Sequence, residues 1–326
     1  MRIFDAGSID AALDWPEMIA ALRAAFAGAL FAPQRHHLDV ARAGATTATQ
    51  LIMPAWSANA PGAGSFLGTK IVGVFPDNGR FGLSSIQGAY LLQSGETGQA
   101  LAALDGNALT AWRTAGTSAL AASYLARPDA ARLLMMGAGA LAPRLIAAHA
   151  SVRPIEQVTI WNHRRAGAER LAADLAASPG DRPWRVSVCD DLETAVRDCD
   201  IVSCATLSTA PLIEGAWLRA GQHVDLVGSF NRRLREADDA TIARTRVFVD
   251  TPAAITEGGD VAQAIDAGVI AASDVQGELA DLCRGANPGR RAGDEITLFK
   301  SIGASIEDLA AAILVWERAG AAKASA

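Results

Sequence analysis

The sequence predicts an α/β protein in which a doubly wound parallel-sheet domain is set into an α+β domain built on an antiparallel sheet. Three observations predict it. From residue 131 onward short apolar runs alternate with glycine turns and helical stretches, the order that builds a parallel sheet with helices on both faces. Between residues 34 and 101 the apolar runs are punctuated by short glycine-containing turns instead, the order of an antiparallel sheet. The 326 residues are twice the length of an ordinary domain, roughly 150, and with half of them hydrophobic and a fifth charged the chain can fill large cores.

The elements follow in order. From Pro16 to Leu30, Met18, Ile19, Leu22, Phe26 and Leu30 recur at helical spacing and predict an amphipathic helix. TQLIMPAW, GTKIVGVF and GAYLLQS read as strands, and PGAG (61–64), PDNG (76–79) and SGETG (94–98) as turns between them. After LDGNALT, the alanine-rich AWRTAGTSALAASYLA favours a helix that Arg127-Pro128 ends. RLLMM then reads as a strand, GAGALA as a turn and PRLIAAHAS as a helix; VTIWN and AGAERLAADLAAS (166–178) repeat the unit. RVSVC, DIVSCAT, HVDLVGS and RVFVD continue the strand series. The nucleotide-type domain is expected over 126–295, and the final helix SIEDLAAAILVWERAG is expected to return to the first domain, giving 1–125 plus 296–326.

Several function classes are excluded. A net charge of −6 and an isoelectric point near 5.4 leave no basic field for nucleic acid. Asp5 and Asp10 interrupt the apolar core an export signal would need, and apolar stretches are cut short of a membrane span, so no membrane partner and a cytoplasmic location are expected. Four cysteines without a CxxC pair suggest neither a disulfide framework nor a zinc site, and the scattered histidines have no metal-ligand spacing. No metal is expected. Tyr90 and Tyr124 are the only tyrosines and neither has lysine four positions on, which removes the Tyr-Lys pair of short-chain dehydrogenases. Only Lys70, Lys300 and Lys323 among the 29 basic residues are lysines. A lysine kept in so arginine-rich a chain hints that arginine's rigid fork would not serve there.

Gly137, Ala138, Gly139, Ala140, Leu141 and Ala142 follow an apolar strand and open a helix, the context of a GxGxxG/A dinucleotide fingerprint. Gly137 allows the tight turn, Gly139 the close approach of a pyrophosphate, and Ala142 close packing of helix on strand. At the end of the next strand an acid would bind the ribose of NAD. This chain has Asn162 followed by His163, Arg164 and Arg165. A neutral residue does not repel a 2′-phosphate and a guanidinium binds one, so NADPH is favoured, with NADH as the alternative. The competing reading is a solvated helix start, where basic residues are electrostatically unfavourable. Thr206, at the end of DIVSCAT, and Val227, at the end of HVDLV, lie on the expected cofactor side.

The landmarks GTKIVGVFPDN, LDGNALTAWRTAGTSALAASYLAR, GAGALA, VDLVGSF and EITLFKSIG, in that order, resemble the ornithine cyclodeaminase/mu-crystallin family over nearly the whole chain. The resemblance implies a Rossmann domain inserted in a substrate-binding and dimerisation domain, a homodimer, and an active site in the cleft between domains. It also implies hydride exchange at a carbon bearing nitrogen and a carboxylate. By resemblance Arg35 and Arg113 bind the substrate carboxylate, and Lys70 binds substrate or donates a proton; the chemistry of arginine and lysine suits those roles. Read singly, Arg113 could instead pair with Asp105 or cap a helix, and Arg35 could be surface. Lys70 follows a Gly-Thr turn inside an apolar strand, a poor place for a decorative charge.

One departure selects among the family's activities. Cyclodeaminases resemble one another in VGGD, whose aspartate handles the substrate amine, whereas Val227-Gly228-Ser229-Phe230 puts a phenylalanine there. Asp225 and Asn231 are the candidates to replace it. The expected reaction is NAD(P)H-dependent reduction of a small cyclic ketimine carboxylate, Δ1-pyrroline-2-carboxylate to L-proline and by extension Δ1-piperideine-2-carboxylate to L-pipecolate. The alternatives are ornithine cyclodeamination, an alanine-type amino-acid dehydrogenase, and a non-catalytic NADPH- or ligand-binding protein like the crystallin.

Overall fold

A computed structural model of the chain describes residues 1–57, 65–177 and 184–324. The expected turn at 61–64 and residue 178 of the second expected helix lie outside them. The chain forms two compact units, Met1–Thr114 with Ala304–Ala326, and Ala115–Gly303.

In the first unit β1 (Arg2–Phe4), α1 (Ala6–Ala12) and α2 (Trp15–Ala24) lead into β2 (Leu30–Phe31), β3 (His36–Val40), β4 (Ala48–Ser57), β5 (Phe66–Val74), β6 (Ile86–Ser94) and β7 (Ala100–Asp105). The sheet runs β1-β7-β6-β5-β4-β2, with β3 also on β4. Every pairing is antiparallel except the short one of β1 with β7.

The carboxylate of Asp14 caps α2, accepting from the Glu17 N–H at 2.9 Å, and Met18, Ile19 and Leu22 are buried. The helix expected to reach Leu30 stops earlier. One π-turn over Ala25–Ala29, with Gly28 at φ +117°, releases the chain into β2, a bend that glycine takes without steric cost. β1 and α1 were not expected: three residues and seven are too short for periodicity to register. Gly68-Thr69 is no turn either but the interior of β5, and a Cβ at Gly68 would collide with the ring of Tyr90 on β6.

Helix α3 (Gly106–Leu125) starts five residues before the expected AWRTAG, because the Asp105 carboxylate accepts from the N–H groups of Asn107 and Ala108. Asp105 is thus the cap and not the partner of Arg113.

The second unit continues β8 (Arg132–Met136), α4 (Ala142–Val152), β9 (Gln157–Trp161), α5 (Arg165–Ala177), β10 (Arg185–Val188), α6 (Leu192–Asp198), β11 (Ile201–Cys204), β12 (His223–Leu226), α7 (Asp239–Arg244), β13 (Arg246–Val249), α8 (Ala254–Glu257), α9 (Gly259–Asp266), β14 (Gly277–Glu278), α10 (Leu279–Cys283) and β15 (Thr297–Lys300). All pairings in its sheet are parallel, in the order β10-β9-β8-β11-β12-β15-β13-β14. The strand order reverses between β8 and β11, the switch point where open α/β sheets form a crevice at their carboxyl ends.

Both expected boundaries, 126 and 295, are corrected: residues 115–125 of α3 group with this unit, and Thr297–Lys300 lies between β12 and β13, fully buried, so residues 296–303 belong to it as well. The last helix, α11 (Ser305–Ala324), packs in the first unit against α2, β4 and β5.

Candidate active site

Lys70 sits on β5 opposite Met53 of β4 and Tyr90 of β6, on the sheet face that α11 covers, and is 1% exposed. Its ammonium donates to Asp308 Oδ1 at 2.8 Å, lies 2.7 Å from Oδ2, and donates to Thr110 Oγ1 at 3.3 Å. Arg113, from α3, donates through Nη1 to Glu307 Oε2 at 2.8 Å and through Nε to Asp308 Oδ1 at 3.1 Å. Two cations and two carboxylates form a buried group of zero net charge. Burial, and then the neighbouring Arg113, bring the Lys70 ammonium down to about 8, against the upward pull of Asp308 and Glu307.

The structure thus brings Lys70 and Arg113 together on one carboxylate. Arg35 lies half-buried in the link between β2 and β3. Glu307, Asp308 and Thr110 were missed by sequence reasoning: consecutive acids in the first turn of a helix read as ordinary dipole partners, and Thr110 has no signature at all.

The glycine turn has the geometry a dinucleotide needs. Gly137 is at φ +98°, and a Cβ there would stand 2.6 Å from the Ala205 carbonyl of the segment after β11, so the two turns flanking the switch point touch. Nothing lies within 4 Å of where a Gly139 Cβ would be. No side chain caps α4; its Ala142 N–H donates to the Gly139 carbonyl at 3.1 Å, and Pro143 after it carries no N–H. Ala142 is fully buried. The Ala138 N–H donates to Asn162 Oδ1 at 3.3 Å, tying this turn to the end of β9, and Asn162 Nδ2 donates to the Arg164 carbonyl at 2.8 Å.

The two arginines separate. Arg165 is held by Glu169, at 2.8 Å, and by Asp190. Arg164 is exposed, with no side-chain hydrogen bond among the described residues. On the expectation that Arg164 meets a 2′-phosphate, Arg164→Ala weakens NADPH binding about tenfold while barely changing NADH, and Arg165→Ala does less; fluorescence titration of both cofactors checks it.

Thr206 donates both its N–H (2.7 Å) and its hydroxyl (2.9 Å) to Glu236 Oε1. Its hydroxyl proton is spent on that bond. Glu236 Oε2 accepts from the N–H groups of Gly228, at 2.7 Å, and Ser229, at 3.2 Å. One buried carboxylate so ties the turn after β11 to the turn after β12, where the Val227 N–H donates to the Cys204 carbonyl at 2.9 Å. Burial pushes Glu236 up to about 7; Lys300 pulls it down and Asp260 pushes it up. Lys300, fully buried at the end of β15, donates to the Leu226 carbonyl at 3.1 Å and stands 3.8 Å from Asp260.

Asp225 cannot replace the missing aspartate. It is fully buried in the sheet and accepts from Ser118 (2.9 Å) and Ser203 (2.8 Å), with His149 Nε2 at 3.2 Å. Burial alone would raise it, but His149, His223 and the Ser203 hydroxyl hold it below the usual carboxylate range. The Phe230 ring packs on Val249, Ala254 and Ile302. Among the described residues no group of three or more His, Cys, Asp or Glu is placed to hold a metal, and no helix is long and apolar enough to cross a membrane.

Comparison with known proteins gives three close parallels. The chain is 38% identical over 305 residues to the Δ1-pyrroline-2-carboxylate reductase of Paracoccus denitrificans, covering 93% of this chain and 92% of that protein. Its fold superposes with a TM-score of 0.92 on the Thermococcus litoralis Δ1-pyrroline-2-carboxylate reductase in complex with NADH and L-proline, at 30% identity over 99% of this chain and 98% of that one. An archaeal alanine dehydrogenase dimer with bound NAD gives 0.89 at 27% identity, over 99% and 97%. The family model for ornithine cyclodeaminase/mu-crystallin matches residues 14–323, and with the glycine turn, the switch point and the Lys70–Arg113 group in place the chain belongs to that family.

Proposed function

We propose that the protein is an NAD(P)H-dependent oxidoreductase that reduces a cyclic ketimine carboxylate, Δ1-pyrroline-2-carboxylate to L-proline, with the six-membered homologue as a second substrate. The observation that carries this reading is the pairing of Lys70 and Arg113 around Asp308. It sets a guanidinium beside an ammonium brought down to about 8, a group that can release a proton near neutral pH. The reductase relatives support the substrate class, and the packed Phe230 favours reduction over deamination: an apolar ring offers no carboxylate to an amine.

In this reading the turn from Gly137 to Ala142, with Asn162, Arg164, Thr206 and Val227, holds the cofactor, and the lack of a ribose-binding acid favours NADPH. The bound cofactor supplies hydride to carbon 2 of the C=N bond. Arg113 and Arg35 clamp the substrate carboxylate, which fixes the ring for attack. Lys70 keeps the ring nitrogen protonated through Nζ, so one proton and one hydride are taken up per imine reduced. Leu38, Trp56 and Ile71, 46%, 43% and 45% exposed, share the face of the first sheet turned away from Lys70. They support a homodimer.

Because the proton donor must be charged, kcat/KM is expected to fall as pH rises through about 8, read from a pH profile of imine reduction. The reading itself is tested by following NADPH absorbance with freshly prepared Δ1-pyrroline-2-carboxylate, beside NADH, and beside ornithine with NAD for ammonia release. NADPH-linked reduction without ammonia is the expected result; ammonia from ornithine with no imine reduction would overturn it.

A further inference from the structure

The two acids that open α11 are not equivalent. Glu307 serves the helix end, since its Oε1 accepts from the Ala304 N–H at 3.0 Å and caps the first turn, while Oε2 takes Arg113 at 2.8 Å. Asp308 makes no such cap. It is fully buried and its carboxylate faces cations, Lys70 at 2.7 and 2.8 Å and Arg113 at 3.1 Å. Burying a carboxylate costs several kcal/mol unless its partners are well placed, and on a helix packed against a sheet an apolar residue would serve packing as well.

We propose that Asp308 is a positioning residue: it holds the ammonium of Lys70 and the guanidinium of Arg113 in one fixed spacing and keeps the lysine charged, while Glu307 serves Arg113 and the helix end. Its kinetic consequence rests on the reductase reading; its geometry does not. The groups facing Lys70 are Thr110 and Arg113 from α3, Tyr90 from β6, and Glu307 and Asp308 from α11. Burial and Arg113 disfavour the charged lysine, and Asp308 is the larger of the two anionic supports. Replacing that carboxylate with an amide removes the support and leaves the volume unchanged.

The test uses the full chain labelled with [15N]lysine. With lysines only at 70, 300 and 323, the Lys70 Nζ signal is identified by its loss in Lys70→Met. In Asp308→Asn its titration midpoint is expected to fall by about one pH unit or more, and in Glu307→Gln by less. In turnover, the alkaline limb of kcat/KM is expected to move down with the Asp308→Asn midpoint, so that activity lost at pH 8 returns near pH 6, whereas Glu307→Gln raises KM and leaves the limb near its place. An unchanged midpoint in folded Asp308→Asn would overturn the proposal. Absence of imine reduction by the wild type would remove the reductase reading and leave the lysine titration standing as a test. If Asp308→Asn does not fold, Asp308→Glu carries the test. It keeps the charge but displaces it, so kcat is expected to fall about tenfold or more with the midpoint near that of the wild type; a wild-type kcat would overturn the positioning role.

Discussion

Lys70→Met is expected to lower kcat/KM for Δ1-pyrroline-2-carboxylate by about 10³-fold, the usual range for losing a general acid, while NADPH affinity stays within about twofold of the wild type. The two readouts part because Lys70 lies in the first unit, buried against Asp308, and the glycine turn lies in the second. Methionine nearly matches the lysine stem and leaves Asp308 still bonded to Arg113 at 3.1 Å, so the fold retains one counter-charge for that acid. Lys70→Arg adds a complementary arm. It keeps the positive charge but replaces a group that releases its proton at about 8 with one that does not titrate in the working range. It is expected to retain substrate binding and lose turnover. Initial rates with fluorescence titration of NADPH check both variants, and full turnover by Lys70→Met would remove the lysine from the chemistry.

Lys300→Met is expected to destabilise the second unit strongly. The ammonium is fully buried, 3.8 Å from Asp260, and bonded to the Leu226 carbonyl. Removing one member of a buried charged group costs about 3–5 kcal/mol, or roughly 10 °C in Tm for a unit of this size. The loss depends on pH in a defined direction. Glu236 titrates at about 7 in the fold against an ordinary 4.5, so the folded chain holds more protons between those values and loses stability as pH rises through them. Lys300 draws Glu236 downward; without it the range over which stability is lost extends to higher pH. The deficit of the variant is therefore larger near pH 8 than near pH 5.5. Scanning calorimetry at both values checks it, and equal deficits would refute the role given to the ammonium.

The regions legible in the sequence are those whose physics is local. The helix α4 and the strands β8 and β9 fall where apolar runs and the glycine turn put them. Gly137 takes the positive φ its place in the motif requires. β15 was illegible because four buried residues ending in lysine carry no period, and their partners β12 and β13 are remote in sequence. Lys70 stood out because the chain so rarely uses lysine. Its counter-ion did not, because Asp308 lies 238 positions away and the pairing depends on a helix crossing a sheet, which spacing cannot encode. Glu236 was hidden for the same reason: its partners Thr206 and Gly228 follow two different strands. Asp225, named as a candidate to replace the missing aspartate, was misjudged because its place on β12 buries it in a polar knot of serines and a histidine.

The place of β15 in the middle of its sheet bears on how the chain is made. During synthesis β12 and β13 emerge long before the strand that must separate them, so the parallel sheet cannot close until residue 300 has left the ribosome. The carboxylates that neutralise Lys70 and Arg113 arrive later still, at positions 307 and 308. Until then the first unit has neither those anions nor the helix that covers the sheet face bearing Lys70. The last helix therefore brings the cover of that face and the counter-charges of its two cations in a single event.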